Sequence, residues 1–78
     1  MARVTTVKAL KAGEIVYFYN GSNVTFDVLQ AHANLTANSY TLKLRDRKTG
    51  RISESSSWHG DNMCDVMTAE ETKQEFGY

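Results

Sequence analysis

Residues 40 to 45, Tyr-Thr-Leu-Lys-Leu-Arg, alternate apolar or aromatic with polar side chains without a break. A period of two belongs to a strand with one buried and one wet face, and it does not fit the 3.6-residue period of a helix. Tyr40, Leu42 and Leu44 are expected to point into a core. Thr41, Lys43, Arg45 and, continuing the register, Arg47 are expected to point out. Gly50 can take the left-handed conformation that ends a short hairpin loop, so Lys48-Thr49-Gly50 reads as a turn. Residues 51 to 58 return, with Ile52 and Trp58 as their apolar members.

The same pattern recurs along the chain. In residues 14 to 20, Ile15, Tyr17 and Tyr19 share one face while Val16 and Phe18 share the other, β-branched and aromatic throughout. Asn20-Gly21-Ser22-Asn23 supplies turn chemistry, and residues 24 to 32 place Val24, Phe26 and Val28 on the core side opposite Thr25 and Asp27. A polar loop over 33 to 39 leads to the strand at 40. Residues 59 to 62 make another turn, and Met63 to Met67 form a short last strand. Thr68 with Glu71 is a capping box that opens a helix through about Phe76. Residues 4 to 12 combine a three-residue recurrence of Val4, Val7 and Leu10 with the extended preference of Thr5 and Thr6, and read as a lead-in carrying a short edge strand.

Four or five short strands, tight turns and one terminal helix describe an all-β domain over residues 1–78: a small SH3-like (KOW-like) barrel of about five antiparallel strands with a short C-terminal helix, or alternatively an OB-type barrel. A chain of 78 residues buries only about two thirds of its unfolded surface, which argues against a large substrate pocket. The single Cys64 cannot form an internal disulfide. No apolar run follows Met1, and none approaches the roughly 18 residues of a membrane span. The expectation is a cytoplasmic protein with no membrane association.

Charge is distributed unevenly. Nine Lys and Arg balance nine Asp and Glu, so bulk charge gives no sign of nucleic-acid affinity. Residues 61 to 78, however, hold five acidic side chains and one basic one, while the surplus of the remaining body lies in Lys43, Arg45, Arg47, Lys48 and Arg51. A cluster of like charges on one strand face and turn invites an anionic partner such as phosphate. The same residues also serve as guards of a solvated sheet edge.

A further pattern lies in Leu10-Lys11-Ala12-Gly13-Glu14-Ile15-Val16, Asp27-Val28-Leu29 leading to His32, Lys43-Leu44-Arg45-Asp46, and Lys48-Thr49-Gly50-Arg51-Ile52. It resembles the N-terminal KOW-like barrel of the translation elongation factor P family and its hypusine-bearing counterpart, over residues 10 to about 62. The resemblance implies the barrel and a tendency to touch RNA or ribonucleoprotein. In that family the loop after the second long strand carries a modified lysine at a Pro-Gly-Lys-Gly type tip. Here residues 32 to 38 hold no Lys, Pro or Gly, and these 78 residues do not themselves include the family's further OB domains, so the elongation role is not expected.

Other residues invite chemistry less directly. His59, Asp61, Cys64 and Asp65 are metal-ligand types, with His32 the only other histidine, but they lack the paired spacing of a zinc site. Ser55 to Ser57 beside His59 and Asp61 lack the convergence that a catalytic triad needs. No metal, cofactor or enzymatic activity is expected. Tyr17, Phe18, Tyr19 and Tyr40 are either core or base-stacking aromatics. Trp58 is either a core plug or a partner anchor, and it joins Tyr40, Glu70 and Glu71 as candidate partner contacts. Three Asn-X-Ser/Thr tripeptides, beginning at Asn20, Asn23 and Asn34, read as turn chemistry.

The leading expectation is a non-enzymatic module contacting RNA, DNA or a ribonucleoprotein through Lys43, Arg45, Arg47, Lys48 and Arg51. It requires that those cations emerge on the wet face and are not neutralised by the protein's own carboxylates. The alternatives are a small phage-type interaction module that regulates or inhibits a host enzyme through a barrel edge, loop 33 to 39 or the acidic tail, and a structural protein that self-assembles through strand edges.

Overall fold

The computed structural model describes residues 3–18 and 24–77. Six strands and one helix follow in order: β1 Arg3–Thr6, β2 Ile15–Phe18, β3 Thr25–Ala33, β4 Ser39–Asp46, β5 Ile52–His59, β6 Met63–Met67 and α1 Ala69–Phe76, with a 3-10 turn at Val7–Ala9 between β1 and β2. All strand pairs are antiparallel, in the order β1-β6-β2-β3-β4-β5. The result is the small, barrel-like all-β domain with a short terminal helix that the alternation implies. The lead-in strand is real and pairs with β6. The turn at residues 20 to 23 and Tyr19 lie outside the described residues.

One face of the bent sheet carries the core. Val16, Phe18, Val28, Leu42, Leu44 and Cys64 are buried there with Val7 and Leu10, and Phe26, Ala31, Tyr40, Trp58 and Val66 pack against them. Leu42 and Leu44 thus point inward and Lys43 and Arg45 outward. Closure comes from the 3-10 turn, where the Val7 and Lys8 amides donate to the Asn62 and Gly60 carbonyls. That contact ties the β1 end of the sheet to the far end of β5.

Two irregularities keep the apolar residues facing in. The β3·β4 register shifts between Val28 and Gln30, which turns Ala31 rather than Gln30 toward the core. The β4·β5 register shifts between Tyr40 and Leu42, so Trp58 faces inward although Ser53 and Ser55 hold the inward positions further along. Trp58 stacks on Phe18 with ring centroids 4.6 Å apart. Thr41, expected to be exposed, is buried beside this bulge. Its Oγ1 lies 2.6 Å from Asn34 Oδ1 and 3.1 Å from Ser56 Oγ, while the Ser56 carbonyl accepts from Asn34 Nδ2 and the Ser39 hydroxyl. Side chains take over there from the interrupted ladder.

Helix α1 opens with the capping box foreseen from the sequence. The Glu71 amide donates to Thr68 Oγ1 and the Thr68 amide to Glu71 Oε1. The helix ends on Gly77 in the left-handed region. Phe76 stacks on Tyr17 with centroids 5.5 Å apart, so the helix lies on the outer face of β2, opposite the core.

Candidate functional site

Strands β4 and β5 form an arm whose tip is the basic turn. Asp46 shapes that turn: its Oδ1 accepts from the Lys48 and Thr49 amides at 2.8 and 3.2 Å, and Gly50 takes φ +79°. Lys48 and Arg51 are exposed at the tip, and Lys43 stands opposite Glu54 of β5.

Arg45 and Arg47 are engaged from within. Asp27 faces Arg45 across β3 and β4, and its Oδ2 accepts from Arg45 Nη2 at 2.7 Å and Nε at 3.2 Å. Its Oδ1 accepts from Arg47 Nη1 at 2.6 Å. Partial burial works to raise the Asp27 pKa, but the hydrogen bonds and charges of the two guanidinium groups outweigh it and hold the carboxyl below its ordinary range. Arg47 lies back along the outer face, with its side chain only 23% exposed. Its Nε and the hydroxyl of Thr25 are buried without a hydrogen-bond partner among the described residues. Thr25, expected to be exposed, is fully buried. Of the five cations, two therefore share one carboxylate, which offsets one unit of their charge, and a third stands across from another carboxylate.

The second feature of the arm is its rim. β5 is the last strand of the sheet and, among the described residues, pairs with β4 alone. Residues 52 to 57 are all exposed, Ile52 at 55%. The Asp46 amide donates to the Arg51 carbonyl at 2.8 Å. Antiparallel pairs alternate between bonded and non-bonded. By that alternation Ser53 and Ser55 turn their backbone groups toward β4, whereas Ile52 and Glu54 turn theirs away from the sheet. No Lys or Pro guards the strand between 52 and 57, and its single charge is Glu54. The sequence marked Ile52 as an apolar member of the return strand, but not that the core stops short of it.

The remaining candidates are dispersed. Trp58 and Tyr40 pack at the margin of the core, and Tyr40 crowds Gly60. Glu70 is exposed in the first turn of α1, and Glu71 serves the capping box. Asp61 accepts from Asn38 Nδ2 at 2.9 Å and pairs with Lys8 at 3.4 Å, and these contacts lower its pKa. Cys64 is buried in the core. Burial first, then the charges of Asp65 and Glu14, push its thiol up to about 11. Among the described residues no three His, Cys, Asp or Glu side chains group to hold a metal ion, and no helix is long and apolar enough to cross a membrane.

No family model, curated protein or solved structure matches the chain. The resemblance to the elongation factor P barrel rests on the quoted residues alone.

Proposed function

We propose that this chain is a non-enzymatic protein-interaction module that works by strand addition, in which an extended segment of a partner pairs with the free rim of β5. The observation that carries this reading is an eight-residue terminal strand that, among the described residues, is bonded to β4 only, with residues 52 to 57 exposed. Outward backbone groups supply affinity in such complexes, and alternate side chains supply selectivity. The test is Glu54→Pro, which removes an outward amide and spares the bonds to β4. A nuclease-resistant complex captured by the wild-type chain is expected to be lost with this variant. Its retention would refute strand addition at β5.

A second reading keeps phosphate contact through Lys43, Arg45, Arg47, Lys48 and Arg51. It is favoured by the outward projection of Lys43 and Arg45 from β4 and by the cationic tip. The engagement of Arg45 and Arg47 by Asp27 weighs against it, because a polyanion would have to displace that carboxylate. Its mark is affinity for single-stranded RNA or DNA that falls steeply with salt and is lost in Arg45→Glu with Arg47→Glu.

A further inference from the structure

From the rim and the Asp27 contacts taken together, we infer that the strand added to β5 is β5 of a second copy of this chain, paired antiparallel about a two-fold axis near Ser53. This rests on the strand-addition reading and names its occupant.

In an antiparallel self-pair, directly opposed residues point to the same face, so a residue can oppose only one of its own parity. Backbone groups that leave the sheet must also meet others that do so. Ile52 and Glu54 satisfy both conditions when Ile52 of one copy opposes Glu54 of the other. That register forms about four new backbone hydrogen bonds. It leaves Ser53 facing Ser53, too small to obstruct the approach.

The charges suit the same register. Reading outward from each copy, the wet face presents Arg45, then Ile52, then Glu54 of the second copy, then Lys43 of the second copy. No two like charges oppose one another directly in this row. Moving the axis to Glu54 would set carboxylate against carboxylate, which is unfavourable. Arg45, Arg47 and Arg51 of each copy would still flank the joint, Arg51 standing opposite Ser55 of the second copy. Asp27 lessens that repulsion, its carboxylate offsetting one of the two positive charges of Arg45 and Arg47 in each copy at 2.7 and 2.6 Å. The contact that disfavours a polyanion therefore favours a second copy. Ile52, the apolar residue at an outward position of the strand, is covered in the process.

The test is sedimentation equilibrium over a concentration series, using the full chain. The wild-type mean mass is expected to climb from that of one chain toward that of two. Ile52→Lys and Glu54→Pro, both at exposed positions, are expected to stay at one chain throughout. Asp27→Asn is expected to raise the dissociation constant several-fold, and added salt to reverse part of that loss by screening the freed arginines. A wild-type chain that remains single across the series would overturn the inference, as would a dimer unaffected by Ile52→Lys and Glu54→Pro. If the wild type stays single while Glu54→Pro still abolishes a nuclease-resistant complex, the self-pair falls and strand addition stands. If Glu54→Pro changes neither, both fall.

Discussion

Asp27 and Arg45 are directly opposed on β3 and β4, and the carboxylate holds the guanidinium side-on, through Nη2 at 2.7 Å and Nε at 3.2 Å. The same carboxylate reaches Arg47 beyond the end of β4. One acidic side chain thus clasps both arginines beside the turn of the hairpin and offsets one unit of its positive charge. The rim of β5 itself presents hydrogen-bonding groups and one apolar side chain, Ile52, with Glu54 as its single charge.

Asp27→Asn is expected to cost about 1 to 2 kcal/mol of stability at neutral pH, because charge-assisted bonds to two guanidinium groups are lost at a partly buried site. The folded-state pKa of Asp27 lies below its ordinary value of 3.8, so its contribution is present above that value and fades as pH falls through the folded value. Thermal melts of wild type and variant should therefore differ at pH 7 and converge in strong acid. A constant difference across that range would remove the carboxylate from the explanation.

Gly60 is buried in the β5–β6 turn. A β-carbon there would overlap Asn38 Oδ1 and come within 2.7 Å of the Tyr40 ring. The Gly60 amide also donates to the Asn38 carbonyl at 2.9 Å, and its carbonyl receives Lys8. Gly60→Ala is expected to destabilise by about 1 to 3 kcal/mol, the usual range for forced overpacking. Chemical denaturation followed by the fluorescence of Trp58, the one tryptophan, reads this directly.

Cys64 is fully buried, with its thiol pushed up to about 11. At pH 8 it is expected to resist a thiol-reactive reagent in the folded chain and to react promptly in denaturant. Fast labelling of the native chain would place the thiol outside the core.

Thr68→Ala removes the side-chain acceptor of the Glu71 amide at the start of α1. A loss of about 0.5 to 2 kcal/mol is expected. Because Phe76 lies on Tyr17, the loss should also appear as freer motion of the Tyr17 ring in proton NMR.

Alternation made β4 legible, since Tyr40, Leu42 and Leu44 are aromatic or apolar and face in while Lys43 and Arg45 are charged and face out. The capping box and the left-handed Gly50 were legible because each depends on a few adjacent residues. The match of Asp27 to Arg45 is legible as well: the two are equally distant from Thr36 in the intervening loop, and alternation puts both on the outer face. What stayed hidden was non-local. The bulges that bury Thr41 and turn Trp58 inward depend on pairing across strands, and the place of β6 between β1 and β2 depends on how the sheet closes. The free rim of β5 was hidden for the same reason, because Ser and Glu in alternation look alike at an edge and at a solvated centre.

Residue-by-residue amide exchange along β5 tests the proposed use of this rim most directly. In the dilute chain, Ser53 and Ser55 should be protected and Ile52 and Glu54 should exchange fast; on association, the latter two should become protected as well. Protection of Ile52 and Glu54 in the dilute single chain, or their continued fast exchange in a complex, would contradict strand addition at β5.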